Sequence, residues 1–375
     1  MVSHCDRRLP ENRRLAEMAA TPTIARAVDA VGTPRIARVR ASAAADYWAL
    51  TKPEVNFLIL VATGAGFYLG CPISVEAFPL MRLVHTVLGT LLVASGAATL
   101  NQYTERRFDA QMRRTARRPL AAGRLDPAAA LSFGVGLSSA GALYLAAALN
   151  ALASLLAVLT LVSYLAVYTP LKRKTPLCTL AGACSGAMPP LIGWAAASGR
   201  LSVEAWILYG ILFLWQFPHV TAIAWMYRED YDRAGYLVLP AGASRDGFMR
   251  WQSVLPAVAL IPVCLMPTFL GDAKRAYLIG ALLLSSGFAW YAAQLALRRS
   301  NASARRLLLV SIVYLPALLM LLMAAKISPA TDANPRALGA GQGVDKGARS
   351  LCSADSAGMG VADLLRNAWP CLEVL

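Results

Sequence analysis

The sequence predicts an all-α fold, a multi-pass transmembrane bundle of about nine helices, and three observations carry that expectation. Of its 375 residues 57% are hydrophobic and only 15% are charged, where an ordinary soluble domain has about a quarter charged. The apolar residues gather into long runs such as 88–100, 128–167 and 278–297, as membrane-crossing helices do. The connections between runs alternate between basic and nearly uncharged, the pattern that orients a polytopic chain.

A hydrocarbon core of roughly 30 Å takes about 20 helical residues per crossing. Nine segments approach that length: 50–70, 81–100, 127–147, 151–169, 177–197, 204–225, 251–270, 276–297 and 307–325. The connections 101–126, 170–176, 226–250 and 298–306 hold 7, 3, 4 and 4 Lys or Arg, and the alternate ones, 71–80, 148–150, 198–203 and 271–275, hold 0, 0, 1 and 2. This asymmetry puts the N terminus and the basic loops in the cytoplasm, or in a mitochondrial matrix, and the C terminus on the far side. It also accounts for the net charge of +15 with a lipid bilayer as partner and no nucleic acid. Gly182, Gly186, Pro189, Pro190 and Gly193 crowd the fifth segment, where small residues permit close helix contact and the backbone must be satisfied by neighbours.

The ends of the chain read differently. Residues 1–45 carry eight Arg, no Lys and four acidic residues without an apolar run, which reads as a disordered basic tail. The four acidic side chains and only two Ser argue against a transit peptide. Residues 327–375 are polar and rich in Gly, Ala and Asp and read as a second disordered tail. The transmembrane domain is thus 46–326. Seven cysteines stand singly, with no CxxC pair, so neither a disulfide framework nor a zinc site is indicated.

Chemistry concentrates in three places. Asn101, Glu105 and Asp109 follow one another at i, i+4 and i+8 at the end of the second segment, on one helix face. Two carboxylates and an amide a turn apart suit a hydrated hard cation shared with phosphates, as Mg²⁺ is, and Arg114 and Arg118 beyond them suit phosphate oxygens. Taken alone, the pattern is equally that of a solvated amphipathic segment, and Asp109, at a loop end, is expected to have no packing role. The sixth segment ends in WQFPHVTAIAWMYREDYDRAGYLVLP, with Trp215, His219, Glu229, Asp230 and Tyr231 as candidates. A carboxylate there, Asp230 above all, could face Glu105 and Asp109 across a cavity, whereas a lone His219 is as readily a buried hydrogen-bonded histidine. YTPLKRKTPL supplies Tyr168, Lys172, Arg173 and Lys174, which topology alone would also explain. All three places fall on one membrane face. A diphosphate with its cation needs such a meeting of acids and bases.

From 46 to 326, three quarters of the chain, the sequence resembles the UbiA-type intramembrane prenyltransferases, and within them the haem O synthase branch. The resemblance rests on LTKP (50–53), N-x-x-x-E-x-x-x-D-x-x-M-x-R-T-x-x-R-P (101–119), YTPLKRKTP (168–176), GAMPPLIGW (186–194), WQFPH (215–219), R-E-D-Y-x-x-A-G-Y-x-x-L-P (228–240) and SIVYLP (311–316). The quinone-type members carry a second Asp-rich motif after the sixth span, where this chain has Pro218, His219 and only Asp230 of that pattern.

The resemblance implies that farnesyl diphosphate and haem b (protohaem IX) are the substrates and haem O and diphosphate the products, for haem–copper oxidase biogenesis in a bacterial inner membrane. It also implies partners such as haem A synthase or oxidase assembly factors. Asn101, Glu105 and Asp109 would hold Mg²⁺, and Asp230 would assist them. Lys52, Arg114, Arg118, Lys172 and Arg173 would bind the diphosphate, and His219, Tyr168 and Trp215 would serve the haem or the allylic cation. Tyr164, Trp194, Phe213, Trp215 and Trp225 lie in spans expected to line the cavity, where a ring face near a cation contributes roughly 0.5–2 kcal/mol. A polyprenyltransferase for an aromatic acid or quinone precursor would share the diphosphate half of the site. A transporter would place its polar residues at midplane instead.

Overall fold

The computed structural model describes residues 42–72, 78–240, 244–271, 273 and 275–326. Apart from one isolated bridge, Ala273 with Lys326, every regular element among them is helical. A short helix α1 (Ala43–Leu50) precedes α2 (Pro53–Gly70), α3 (Leu80–Asp109), α4 (Pro127–Ala148) and α5 (Ala151–Leu171). Two half-length helices follow, α6 (Cys178–Gly186) and α7 (Pro189–Ser198), then α8 (Val203–Met226) and the short α9 (Arg228–Ala234). The long helices α10 (Ser244–Phe269), α11 (Arg275–Arg298) and α12 (Asn301–Ala325) complete the domain.

Eight of these helices are long and apolar enough to cross a membrane. The ninth crossing is divided between α6 and α7, because Pro189 and Pro190 supply no backbone N–H and cannot continue the preceding helix. They open α7 instead, the place in a helix where proline fits. Gly193 makes this crossing possible: a Cβ there would overlap the Thr63 carbonyl of α2, and one at Gly66 would overlap the Pro190 carbonyl of α7. Backbone therefore lies on backbone along this seam. The helices form two packed groups that meet at α2. Phe67 of α2 joins Leu145, Leu156 and Leu191 in one core, while its Ala62 and Ala65 join Leu208, Leu260, Phe288 and Leu318 in the other. Large apolar side chains such as Leu143, Trp206, Leu283 and Trp290 point outward, as a lipid-facing surface requires.

Helix ends differ from the hydropathy limits in a consistent direction. α3 runs on to Asp109, α10 begins at Ser244 and α12 at Asn301. Hydropathy marks where the bilayer stops, and these helices continue into the polar layer as amphipathic turns. α1 also begins three residues before the expected boundary at 46, because Asp46 is anchored by Arg124, which donates three hydrogen bonds of 2.8–3.1 Å to its carboxylate. The tails expected at 1–45 and 327–375 otherwise lie outside the described residues.

Candidate active site

The first constellation is helical and buried. Nothing between Leu100 and Asp109 breaks a helix, since Gln, Glu and Arg are good formers and the first proline is Pro119. Asn101, Glu105 and Asp109 therefore share one stripe of α3, with Glu105 6% and Asp109 1% exposed. A carboxylate so buried needs a partner, and each has one. Lys172 Nζ donates to Glu105 Oε1 at 2.9 Å and Asn101 Nδ2 donates to Glu105 Oε2 at 2.8 Å. Arg118 Nη1 donates to both Asp109 oxygens, at 2.9 and 2.8 Å. Asp109 thus packs, contrary to its expected role as a free loop-end group. The solvated-segment alternative falls with it.

Helix α5 delivers its part through a change of winding. Residues Ser163–Tyr168 form a π turn directly before Pro170, whose missing N–H and bulky ring disturb the ordinary ladder. Thr169 Oγ1 lies 2.9 Å from Tyr164 O and 3.1 Å from Asn101 Oδ1, two acceptors that share its single proton. Lys172 Nζ then stands 4.4 Å from the centre of the Tyr168 ring. Burial disfavours the Lys172 ammonium, but the Tyr168 oxygen and the Glu105 carboxylate outweigh it and hold its pKa above the ordinary value. Arg173 turns away and stacks at 4.1 Å over Phe108.

Lys52 closes the cluster from the start of α2. It caps that helix with φ of 50°, a left-handed conformation that is uncommon for a residue with a side chain and concentrates at functional sites. Burial, together with the positive charges of Arg118 and Lys172, lowers its pKa to about 7 against the opposing pull of Glu105 and Asp109.

A cavity of ≈310 Å³ opens inward from this cluster. Lys52, Tyr164 and Tyr168 stand at its polar end, and Val93, Leu161 and Ile192 line its depth. Among the five aromatic residues expected to line a cavity with the cluster, only Tyr164 does so. Trp194 lines a second cavity at the other end of the bundle. Phe213 packs against Tyr209 and Phe217, Trp225 is core, and Trp215 turns toward α12.

The second constellation divides. Glu229 is exposed. Asp230 is engaged by bases: Arg233 donates to its Oδ1 at 3.0 Å, and the Arg114 backbone N–H approaches its Oδ2 at 3.4 Å. The Arg114 guanidinium lies 4.7 Å from the Tyr227 ring centre and 3.4 Å from Tyr231 Oη, so α9 fixes the position of Arg114. Trp215 and His219 form a separate unit. Trp215 Nε1 donates to Ser311 O at 2.9 Å and stacks on the imidazole at 4.7 Å. His219 Nδ1 meets Ser311 Oγ at 2.7 Å, and Ser311 Oγ donates to Leu308 O at 2.6 Å. A hydroxyl has one proton, so this network assigns the proton between His219 and Ser311 to Nδ1 and leaves the lone pair on Nε2.

The donor set fits Mg²⁺. That ion takes one or two carboxylates and completes its shell with water and substrate phosphates, and Glu105 and Asp109 are two such groups a turn apart. Among the described residues no cluster of three His, Cys, Asp or Glu side chains offers an all-protein metal cage.

Residues 56–324 match the model of the UbiA prenyltransferase family. The chain belongs to that family. Among its UbiA relatives, the protoheme IX farnesyltransferase of Solibacter usitatus is 48% identical over 277 residues, covering 72% of this chain and 95% of that protein. That of Salinibacter ruber is 41% identical over 278 residues, covering 74% and 97%. In structure the chain is similar to a UbiA homolog from Aeropyrum pernix K1 in its apo form, with a TM-score of 0.54 at 20% identity over 71% of this chain and 96% of that one. A UbiA homolog from Archaeoglobus fulgidus bound to DMAPP and Mg²⁺ gives 0.53 at 14% identity over 74% and 99%. These likenesses establish the UbiA fold.

Sequence reading missed Thr169 and the Asp46–Arg124 pair. Thr169 stood inside a quoted motif, but a hydroxyl carries no charge to draw notice in a basic loop. Asp46 and Arg124 lie 78 residues apart, and no local pattern links them.

Proposed function

We propose that the chain transfers the farnesyl group of farnesyl diphosphate to a vinyl group of haem b, with addition of water, giving haem O and diphosphate. The single observation that carries the reading is the pairing of two buried carboxylates with Arg118 and Lys172 next to an apolar cavity whose polar end is Lys52, Tyr164 and Tyr168, with Lys172 on the Tyr168 ring. Such a site separates a diphosphate from a hydrocarbon tail. The names of the relatives supply the acceptor.

Each acid is paired with a base, Glu105 with Lys172 and Asp109 with Arg118. The acids would hold Mg²⁺ bound with the diphosphate, and Lys172, Arg118 and Lys52 would take phosphate oxygens. Asn101, Glu105 and Asp109 are the residues to hold it, and bound Mg²⁺ supplies positive charge against the leaving diphosphate. The cations of this chain do the same from the protein side, favouring cleavage of the C1–O bond. The tail lies among Val93, Leu161 and Ile192, with Tyr164 and Tyr168 beside the allylic carbon. The vinyl terminal carbon attacks C1, positive charge passes to the carbon next to the porphyrin, and water adds there with loss of one proton.

His219 is assigned to the haem side. Its Nε2 lone pair is available for haem iron, and Trp215 and Ser311 hold the ring plane. The cluster faces the cytoplasm of a bacterial cell by the loop charges. The test is direct: the purified protein in detergent with haem b, farnesyl diphosphate and Mg²⁺ yields haem O by mass, and excess EDTA stops it. Absence of haem O while an aromatic acid is prenylated would move the acceptor to the quinone class. His219→Ala is expected to shift the Soret band of bound haem b and leave farnesyl diphosphate affinity unchanged.

A further inference from the structure

At the end of the bundle opposite the charged cluster lies a second cavity, of ≈740 Å³. It sits among the last turns of α2, α7, α10 and α12 and the first turn of α8, and its floor is apolar, with Leu69, Trp194, Leu208 and Leu322. Its size falls within the range of about 300–1,000 Å³ that holds small organic molecules. Its polar lining residues are Ser198, Arg200, Ser202, Glu204 and Lys326.

One rim group is already engaged. Lys326 Nζ donates to the carbonyls of Tyr68, Leu69 and Cys71 at 3.0, 3.1 and 2.8 Å, which caps the end of α2. Three others are idle. Arg200 and Glu204 form no side-chain hydrogen bond or ion pair among the described residues. Ser202 occupies the N-cap of α8 without bonding to that helix, although its hydroxyl is buried and has no partner. A serine at this position ordinarily accepts from a first-turn N–H, and an idle buried hydroxyl costs free energy. The stretch 200–204 therefore presents a cation, the N-terminal amides of a helix and a carboxylate at the edge of an apolar hole, with the unpartnered Ser202 hydroxyl buried behind them.

We propose that this cavity binds a zwitterionic lipid with a phosphate and a primary ammonium, a phosphatidylethanolamine of the leaflet opposite the catalytic cluster. The phosphate takes Arg200 and the start of α8. The ammonium takes Glu204, and an acyl chain fills the floor between Trp194 and Leu322. A purely anionic amphiphile would satisfy Arg200 but bring like charge to Glu204. A choline head would reach Glu204 without an N–H to donate.

The test is native mass spectrometry of the full chain in detergent, titrated with phosphatidylethanolamine, phosphatidylglycerol or phosphatidylcholine. Phosphatidylethanolamine is expected to be retained best, and Arg200→Gln or Glu204→Gln to weaken its retention by about tenfold or more, as loss of a charged hydrogen bond does. Thermal melts give the second readout: phosphatidylethanolamine raises the Tm of the unmodified protein and not of either variant, while both variants transfer farnesyl normally. Equal retention of the three lipids, or undiminished binding by both variants, overturns the proposal. So does haem b binding that Arg200→Gln removes, since the cavity would then be a haem site.

Discussion

At the residue scale the site is held together by opposite charges that wait for a substrate. Asp109 is hydrogen-bonded twice by one guanidinium nitrogen, so truncation to alanine would strand Arg118 as well as remove a ligand. Asp109→Asn keeps the volume and is the better probe. It is expected to lower farnesyl transfer at least about a hundredfold and, by breaking the buried pair with Arg118, to lower the Tm as well; wild-type rates from this variant would remove Asp109 from the chemistry. Lys52 adds a pH dependence. With a pKa near 7 it is mostly neutral at pH 8, yet a diphosphate binds its ammonium, so binding takes up a proton. Affinity for farnesyl diphosphate should fall as pH rises above 7, by up to about tenfold per unit, and level off below 7 where the charge is already present. Lys52→Arg, which stays charged, should flatten the profile between pH 7 and 8.5, and a flat profile in the unmodified protein would refute the assignment. The charged members of the site were legible because charge is rare and costly in an apolar chain. The pairing of Glu105 with Lys172 and of Asp109 with Arg118 was not, since either cation satisfies either acid on paper.

At the element scale, the seam between α2 and α7 fixes the frame that carries Lys52. Since a Cβ at Gly193 would meet a backbone carbonyl rather than a yielding side chain, the Gly193→Ala variant should be destabilised by about 1–3 kcal/mol, read as a lower Tm in detergent. An unchanged Tm would show that the two backbones can part. The glycines and the proline pair of the fifth segment were visible in the sequence as a place of close packing, but 177–197 read as one crossing, and its division into α6 and α7 was not foreseen. The length of α3 was not foreseen either: hydropathy falls away at Leu100, while the helix continues for nine residues on good helix formers and buried ion pairs. Nor was the π turn of α5, which depends on where Thr169 sends its hydroxyl.

At the scale of the whole molecule, the catalytic machinery spans one compact domain, and α1 belongs to it. A chain trimmed to 43–329 should transfer farnesyl at the full rate, whereas one beginning at Thr51 loses the Asp46–Arg124 pair that steadies the segment bearing Arg114 and Arg118. Equal rates from the two would mean that α1 is dispensable. The ≈310 Å³ cavity beside the charged cluster has a wider consequence. Its apolar depth lies inside the bundle and its charged mouth at the edge, so a substrate whose hydrocarbon is already dissolved in the bilayer meets the enzyme within two dimensions. The rate should then follow the mole fraction of farnesyl diphosphate among surrounding amphiphiles, and adding inert lipid or detergent at fixed total substrate should slow turnover, as surface dilution does.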